Sequence, residues 1–322
     1  MRLRPSSPLF LIIVLLGTFT SAFLTGTVSA GTVNITTLAA VPLRDEAGGV
    51  LSGNAIRVGT FDLSGAGLFI ISNSNSFSRL DALFTPLAEG ITDAGTITQA
   101  NNSSQLLRVN DALQQEGEVL GQISGTSANY LPSGTQLYLW VFNNPDPELA
   151  TEWGIYGSTS ANWTLPTQLG STTLSTASAD LILRGTLNND TLRLANNSAL
   201  SYQTWLADSF SNTQLADPQL SSPSSDPDND GTTNLAEYYF GTAPNTPDIP
   251  GPAFQVISSE NQLELTWTRA VGVTDVIAIP QTSPDLVTWQ NQAAVEISAN
   301  SQSFTLPFTL RREFARLLFQ LQ

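Results

Sequence analysis

In the stretch LELTWTR, residues 263–269, Leu263, Leu265 and Trp267 alternate with Glu264, Thr266 and Thr268. Successive side chains of an extended chain point to opposite faces, so this pattern belongs to a strand with one buried side. Short runs rich in β-branched and aromatic residues recur along most of the chain, separated by clusters of Gly, Ser, Asn and Pro. Charged residues make up only 12% of the 322 positions, well below the usual quarter or so. Ser, Thr, Asn, Gln and Gly supply the polarity instead, a mix that suits sheets and surface loops better than charged helices. The expected fold class is mainly β.

Between residues 31 and 200 strands are expected at 55–63, 67–72, 105–109, 118–124, 136–142, 152–157, 179–187 and 191–195. One helix is expected among them: Phe77, Leu80, Leu83, Phe84 and Leu87 share a helical face, with Ser74 or Ser76 as N-cap. Many short strands with a peripheral helix predict a jelly-roll-like β-sandwich for 31–200. Residues 201–211 read as a short helix with Tyr202, Trp205, Leu206 and Phe210 on one side, and 235–240 as a second. Together with the polar loop between them they form a segment, 201–247. Four prolines at 244, 247, 250 and 252 then predict a stiff linker. The remainder of 248–322, with strands expected at 255–258, 263–269, 276–280, 293–297, 303–306 and 314–321, predicts a small immunoglobulin- or fibronectin type III-like sandwich.

Arg2 and Arg4 precede an apolar run at 9–16, and Val28, Ser29 and Ala30 offer small residues for cleavage. Residues 1–30 therefore read as a secretory signal peptide, which predicts a secreted, extracellular or cell-surface protein with no membrane span after cleavage. The chain has no Cys, so no disulfide supports it. All twelve basic residues are arginine, and the formal charge is −15, or −17 once Arg2 and Arg4 are removed (−15 − 2). Such a surface repels nucleic acid and anionic lipid and attracts cations. Without His, Cys or Lys there is no Ser–His triad, thiol nucleophile, Schiff base or ordinary zinc site. Carboxylates, hydroxyls and arginines are the chemistry that remains.

The carboxylates concentrate in DPDNDGTTNLAE, residues 226–237. A calcium ion takes six to eight oxygens at about 2.3–2.6 Å, and a twelve-residue loop supplies them when alternate residues point inward. Asp226, Asp228 and Asp230 occupy positions 1, 3 and 5. Gly231 stands at the sharp turn of position 6. Thr232 offers its backbone carbonyl at position 7, and Asn234 a direct or water-mediated contact at position 9. Glu237 closes the shell at position 12, so the full pattern D-x-[DN]-x-[DN]-G-x5-E is met. No basic residue lies between Arg193 and Arg269 to neutralise these acids. The competing reading is a solvated acidic hinge, which needs neither the Gly at position 6 nor the Glu at position 12.

The stretch DPDNDGTTNLAEYYFGTAP resembles the EF-hand-type loops of dockerins and thrombospondin type 3-like repeats, above all those of large secreted bacterial proteins. TWLADSF before the loop, SPDLVTW at 283–289 and REFARLLFQL at 312–321 extend the resemblance over residues 201–322. It implies a calcium cofactor and a C-terminal sandwich. The second repeat of dockerins is missing, so their cohesin partner is not carried over.

Two other functions have candidate residues. Trp140, Trp153 and Trp163 are a candidate platform for stacking on an extracellular polysaccharide, with core packing as the alternative. Asp146, Glu148 and Glu152 are the densest acidic group before residue 200; Asp45 with Glu46, and Glu116 with Glu118, are further pairs for carboxylate-based glycoside hydrolysis. The reading that absorbs most of the sequence is a non-enzymatic, exported structural or adhesive protein, in which calcium rigidifies an interdomain loop. An unpaired extracellular loop of this type is expected to bind with Kd of roughly 10⁻⁴–10⁻³ M.

Overall fold

A computed structural model describes residues 32–36, 43–49, 51, 54–91, 107–109, 119–123, 131–166, 171–188, 191–197, 200–248, 253–258, 262–307 and 313–322. The expected signal peptide, the second half of the linker and parts of the strands expected at 105–109 and 118–124 lie outside them. The described protein is mainly β, with short helices. No helix among the described residues is long and apolar enough to cross a membrane.

The N-terminal region is organised around one antiparallel sheet. Its strands run in the order Leu181–Arg184, Glu152–Gly157, Tyr138–Phe142, Ala55–Phe61 and Phe84–Ile91. Every residue of Tyr138–Phe142 is buried, because both faces of this sheet are covered. Leu139 and Val141 point into a core with Ile56, Val58, Trp163, Leu174 and Leu192. Tyr138, Trp140 and Phe142 point the other way, into a core with Phe61, Ile70, Ile71, Leu80 and Trp153. A second sheet pairs Thr32–Thr36 with Val119–Ile123 antiparallel and with Ser171–Ser175 parallel.

Two expectations fail in this region. Residues 67–72 form a helix, α1 (Gly67–Asn73), not a strand. Gly67, Ile70 and Ile71 are its buried residues, a helical spacing, while Leu68 is 47% exposed. Conversely, the helix expected through Leu87 stops early: α2 covers only Phe77–Asp81, and Phe84–Ile91 is a strand beside Ala55–Phe61. An open strand edge offered ladder hydrogen bonds that a helix through Pro86 could not match. The register shifts between Val58 and Gly59, opposite Pro86. A Cβ at Gly59 would collide with the Thr85 carbonyl, so glycine permits this approach.

Helices α3 (Tyr202–Ser209), α4 (Asn212–Leu215), α5 (Pro218–Ser221) and α6 (Asn234–Phe240) follow. The C-terminal strands form two antiparallel sheets: Phe254–Ser258, Gln262–Thr268, Ser301–Pro307 and Val295–Glu296 in one, and Gln290–Asn291, Val276–Ser283 and Phe314–Leu321 in the other. Leu265 and Trp267 are buried as the alternation requires. They share a single core with Tyr202, Leu206, Phe210, Leu235, Tyr238 and Tyr239 from the helices. Asp275 ties the two together, accepting the Tyr202 N–H at 2.8 Å and the Tyr238 hydroxyl at 2.7 Å. The helices also grip the N-terminal region: Asp208 accepts from the Ser74 hydroxyl, and Arg79 donates to the Asp208 and Phe210 carbonyls.

Candidate metal centre

The loop is drawn closed by its own backbone. The N–H groups of Asn234 and Leu235, which a helix start leaves without intrahelical partners, donate to the carbonyls of Ser225 (2.8 Å) and Pro223 (3.0 Å). The entering and leaving chains are thereby joined at the base. Between them the chain visits the left-handed region twice, at Asn229 (φ 61°) and Gly231 (φ 96°). These are the residue types that tolerate it. A Cβ at Gly231 would meet nothing within 4 Å, so backbone conformation rather than space demands glycine there.

These turns bring the carboxylates together and hold Asp226 and Asp228 by one oxygen each and Asp230 by both. Asp226 Oδ2 accepts the Gly231 N–H at 2.9 Å, and Asp228 Oδ1 accepts the Asp230 N–H at 3.2 Å. Asp230 accepts the Thr232 N–H on Oδ1 at 2.7 Å and the Asp248 N–H on Oδ2 at 2.9 Å. Carboxylate oxygens of Asp226, Asp228 and Asp230 come within 4.8 Å of one another, and so do those of Asp230, Glu237 and Asp248. Four of the six residues expected from the loop pattern therefore converge. Thr232 is bound to the group through its N–H. Asn234 is fully buried, its amide donating to the Leu220 and Ser222 carbonyls at 2.7 and 2.8 Å.

Glu237 is the anomaly. It has no exposed surface, and neither carboxylate oxygen has a hydrogen-bond donor. Asp226 Oδ1, Asp228 Oδ2, Asp248 Oδ1 and Asn234 Oδ1 are also buried without a donor, making six such oxygens with the two of Glu237. An unpaired buried ionised group costs several kcal/mol unless it neutralises or finds a counter-charge. The carboxyl of Glu237 is accordingly pushed up from 4.5 to about 8, first by burial and then by Asp228, Asp230, Asp248 and Asp226. Asp228 is raised too, mainly by burial, with Asp230 and Asp226 adding to it. Asp230 goes the other way: burial raises it, but the N–H groups of Asp248 and Thr232 outweigh that and lower it. None of these carboxylates pairs with an arginine among the described residues. A set of acceptors without donors, all oxygen, suits a hard cation.

Asp248 is the residue that the loop pattern did not reveal. It lies eleven positions beyond Glu237 (248 − 237), in the Pro-rich stretch read as a linker. No twelve-residue motif reaches that far. The only signal was its place, an acid beside Pro247 in a stretch without bases.

The other candidates do not assemble a site. Trp140, Trp153 and Trp163 are at most 2% exposed, so they pack the core and offer no stacking platform. Arg57 lies over the Trp140 ring at 5.1 Å and Arg184 over Trp153 at 5.4 Å. Trp163 donates to the Ser178 hydroxyl at 2.9 Å. Asp146 caps a short turn by accepting the Glu148 N–H, and Glu152 accepts the Glu46 N–H. Asp45 accepts the Gly49 N–H. Asp146 and Asp45 therefore serve local turns and Glu152 ties its strand to the turn at Glu46, while Glu116 and Glu118 fall outside the described residues. No protein-family model, curated protein or solved structure significantly matches this chain.

Proposed function

We propose that this is an exported, non-enzymatic structural protein that binds calcium through Asp226, Asp228, Asp230, Glu237, the Thr232 carbonyl and Asn234. The observation that carries the reading is the Glu237 carboxylate, fully buried with no donor to either oxygen amid further carboxylates. A calcium ion would supply the missing positive charge and accept both oxygens at once. Magnesium fits less well, since it demands a tight octahedron and keeps most of its waters.

The role of the ion is structural. The loop joins α5 to α6, and α6 carries Leu235, Tyr238 and Tyr239 into the core shared with the C-terminal strands. Holding Glu237 would hold α6 in that core. We further read residues 31–200 as a jelly-roll-like sandwich and the C-terminal strands as an immunoglobulin- or fibronectin type III-like one. Export would place the site where calcium is abundant, which matches an affinity of roughly 10⁻⁴–10⁻³ M. A surface-attachment role follows from that setting.

The test is a thermal melt of the full chain in chelator, calcium and magnesium, paired with calorimetric titration. At a Kd of ~10⁻⁴ M, ~10 mM calcium stabilises the folded form by about 2.7 kcal/mol, and the melting temperature rises. No heat of binding up to ~10 mM calcium, above the range for extracellular modules, overturns the proposal.

A further inference from the structure

We infer that Asp248, outside the twelve-residue loop, is a ligand of the same cation, so that one ion clasps the 242–248 segment onto the loop. The inference rests on the calcium reading above and adds to it a residue and a physical consequence.

Three observations support it. Asp230 accepts the Asp248 backbone N–H at 2.9 Å, so the loop already anchors the main chain at this position. Asp248 Oδ1 is buried without a donor, and a carboxylate oxygen of Asp248 lies within 4.8 Å of those of Glu237 and Asp230. Its other oxygen is spent on a long 3.4 Å contact with the Ala243 N–H. Glu237 has no donor on either oxygen and Asp248 only this long contact, so the two acids repel each other, and that contact does not account for the Asp248 carboxylate lying beside Glu237. A shared cation does. Asp230 belongs to both groups of convergent oxygens, so the group of Glu237 and Asp248 shares one carboxylate with the group of Asp226 and Asp228.

The segment is built to bring Asp248 back. Gly241, at φ 77°, ends α6 and reverses the chain. Pro244 is buried. Asn245 accepts from the Gln214 amide at 2.7 Å and donates to the Ser209 carbonyl at 3.1 Å, fixing the turn against the ends of α3 and α4. The first half of the linker is therefore part of the metal site's wall. Five carboxylates around one divalent ion also leave three uncompensated charges, so a trivalent lanthanide should compete effectively with calcium.

The experiment uses the full chain with Asp248→Asn, Asp217→Asn and wild type. Asp217 is a nearby acid that caps α5 on the Gln219 N–H, and asparagine preserves a cap. Calcium is titrated calorimetrically, and limited proteolysis is followed across 242–248 with calcium or chelator. The expected result is one ion per chain, at least a tenfold loss of affinity in Asp248→Asn, and less than a twofold change in Asp217→Asn. Calcium should protect 242–248 in wild type and Asp217→Asn but not in Asp248→Asn. In chelator, Asp248→Asn should melt no lower than wild type, whereas a merely structural aspartate would give a lower melt. Wild-type binding with Asp248→Asn within threefold overturns Asp248 as a ligand and leaves the loop reading intact. Two ions per chain overturns the shared site. No calcium binding by wild type overturns the loop reading itself, and this inference with it.

Discussion

Glu237→Gln should stabilise the protein without calcium and disable it with calcium, a reversal that few other readings of this residue produce. The magnitude follows from burial. The folded carboxyl is raised from 4.5 to about 8 by desolvation and by its aspartate neighbours. At pH 7 the mismatch is 7 − 4.5 = 2.5 units, or about 3 kcal/mol of lost stability in the metal-free fold. The sign is set by linkage. A carboxyl raised in the folded state contributes stability that is fully present below its unfolded value and is lost as pH rises toward its folded value. The metal-free protein should thus weaken between about pH 4.5 and 8, and Glu237→Gln, neutral and of equal size, should not. In chelator at pH 7 the variant should melt higher by roughly 6–12 °C, taking 2–4 °C per kcal/mol. The gap should close near pH 4.5. In calcium the order inverts, because wild type gains an ion that the variant holds poorly. Thermal melts in chelator and in ~10 mM calcium, a concentration above the expected Kd range, at pH 5 and 7 read all four cases. A Glu237→Gln protein that melts lower than wild type in chelator, or responds to calcium as strongly, refutes the reasoning.

Titration of calcium into Glu237→Gln, Asp226→Asn and Thr233→Ala at one ionic strength should rank them. Glu237→Gln should cost at least as much affinity as Asp226→Asn, because both Glu237 oxygens lack donors whereas one Asp226 oxygen already accepts the Gly231 N–H. Thr233→Ala should cost little, since the Thr233 side chain makes no capping bond to α6; equal affinities for all three would count against the site. Trp153→Ala should destabilise the fold by about 3–5 kcal/mol in a denaturant melt, with no change in retention on any polysaccharide. Weakened retention by a variant of unchanged stability would restore the platform reading.

The strands of the C-terminal region were the most legible part of the chain. Phe314–Leu321 lies at the expected bounds and Gln262–Thr268 within one residue of them. Sequence and structure part where the conformation of a short apolar run depends on what it packs against. In 67–72, Leu, Phe and two Ile look like a strand by composition, and only the opposing sheet face selects the helical turn that buries Ile70 and Ile71. In 77–87 the helical spacing is real, but it continues past Asp81 into residues that an open strand edge captures. The parallel pairing of Thr32–Thr36 with Ser171–Ser175 joins residues more than 130 positions apart, which no local pattern encodes. The carboxylate cluster divides in the same way. Asp226, Asp228, Asp230 and Glu237 were legible because one loop carries them at fixed spacing. Asp248 was not, because the chain must first turn at Gly241 and dock Asn245 before it returns.

The position of α6 decides how far an ion at this loop would be felt. Glu237 and Tyr238 are adjacent, so the helix presents the carboxylate to the loop and the phenol to Asp275 and to the rings of Trp205 and Tyr202. Trp205 sits on α3, whose Asp208 holds Ser74 of the N-terminal region. Loss of the ion therefore frees repulsion at the end of a short chain of contacts, and its first large consequence falls on the core shared by the helices and the C-terminal strands. The buried residues of the two cores on the N-terminal sheet are not those of the shared core, although Leu215 of α4 packs against both the shared core and the one that holds Trp140. Chelation should thus speed amide exchange in α6, α3 and Gln262–Thr268 together, while Tyr138–Phe142 stays protected. That pattern marks a cooperative unit opening as one. Faster exchange confined to 226–233 would mean that the ion orders only its own loop and that α6 needs no help to stay in the core.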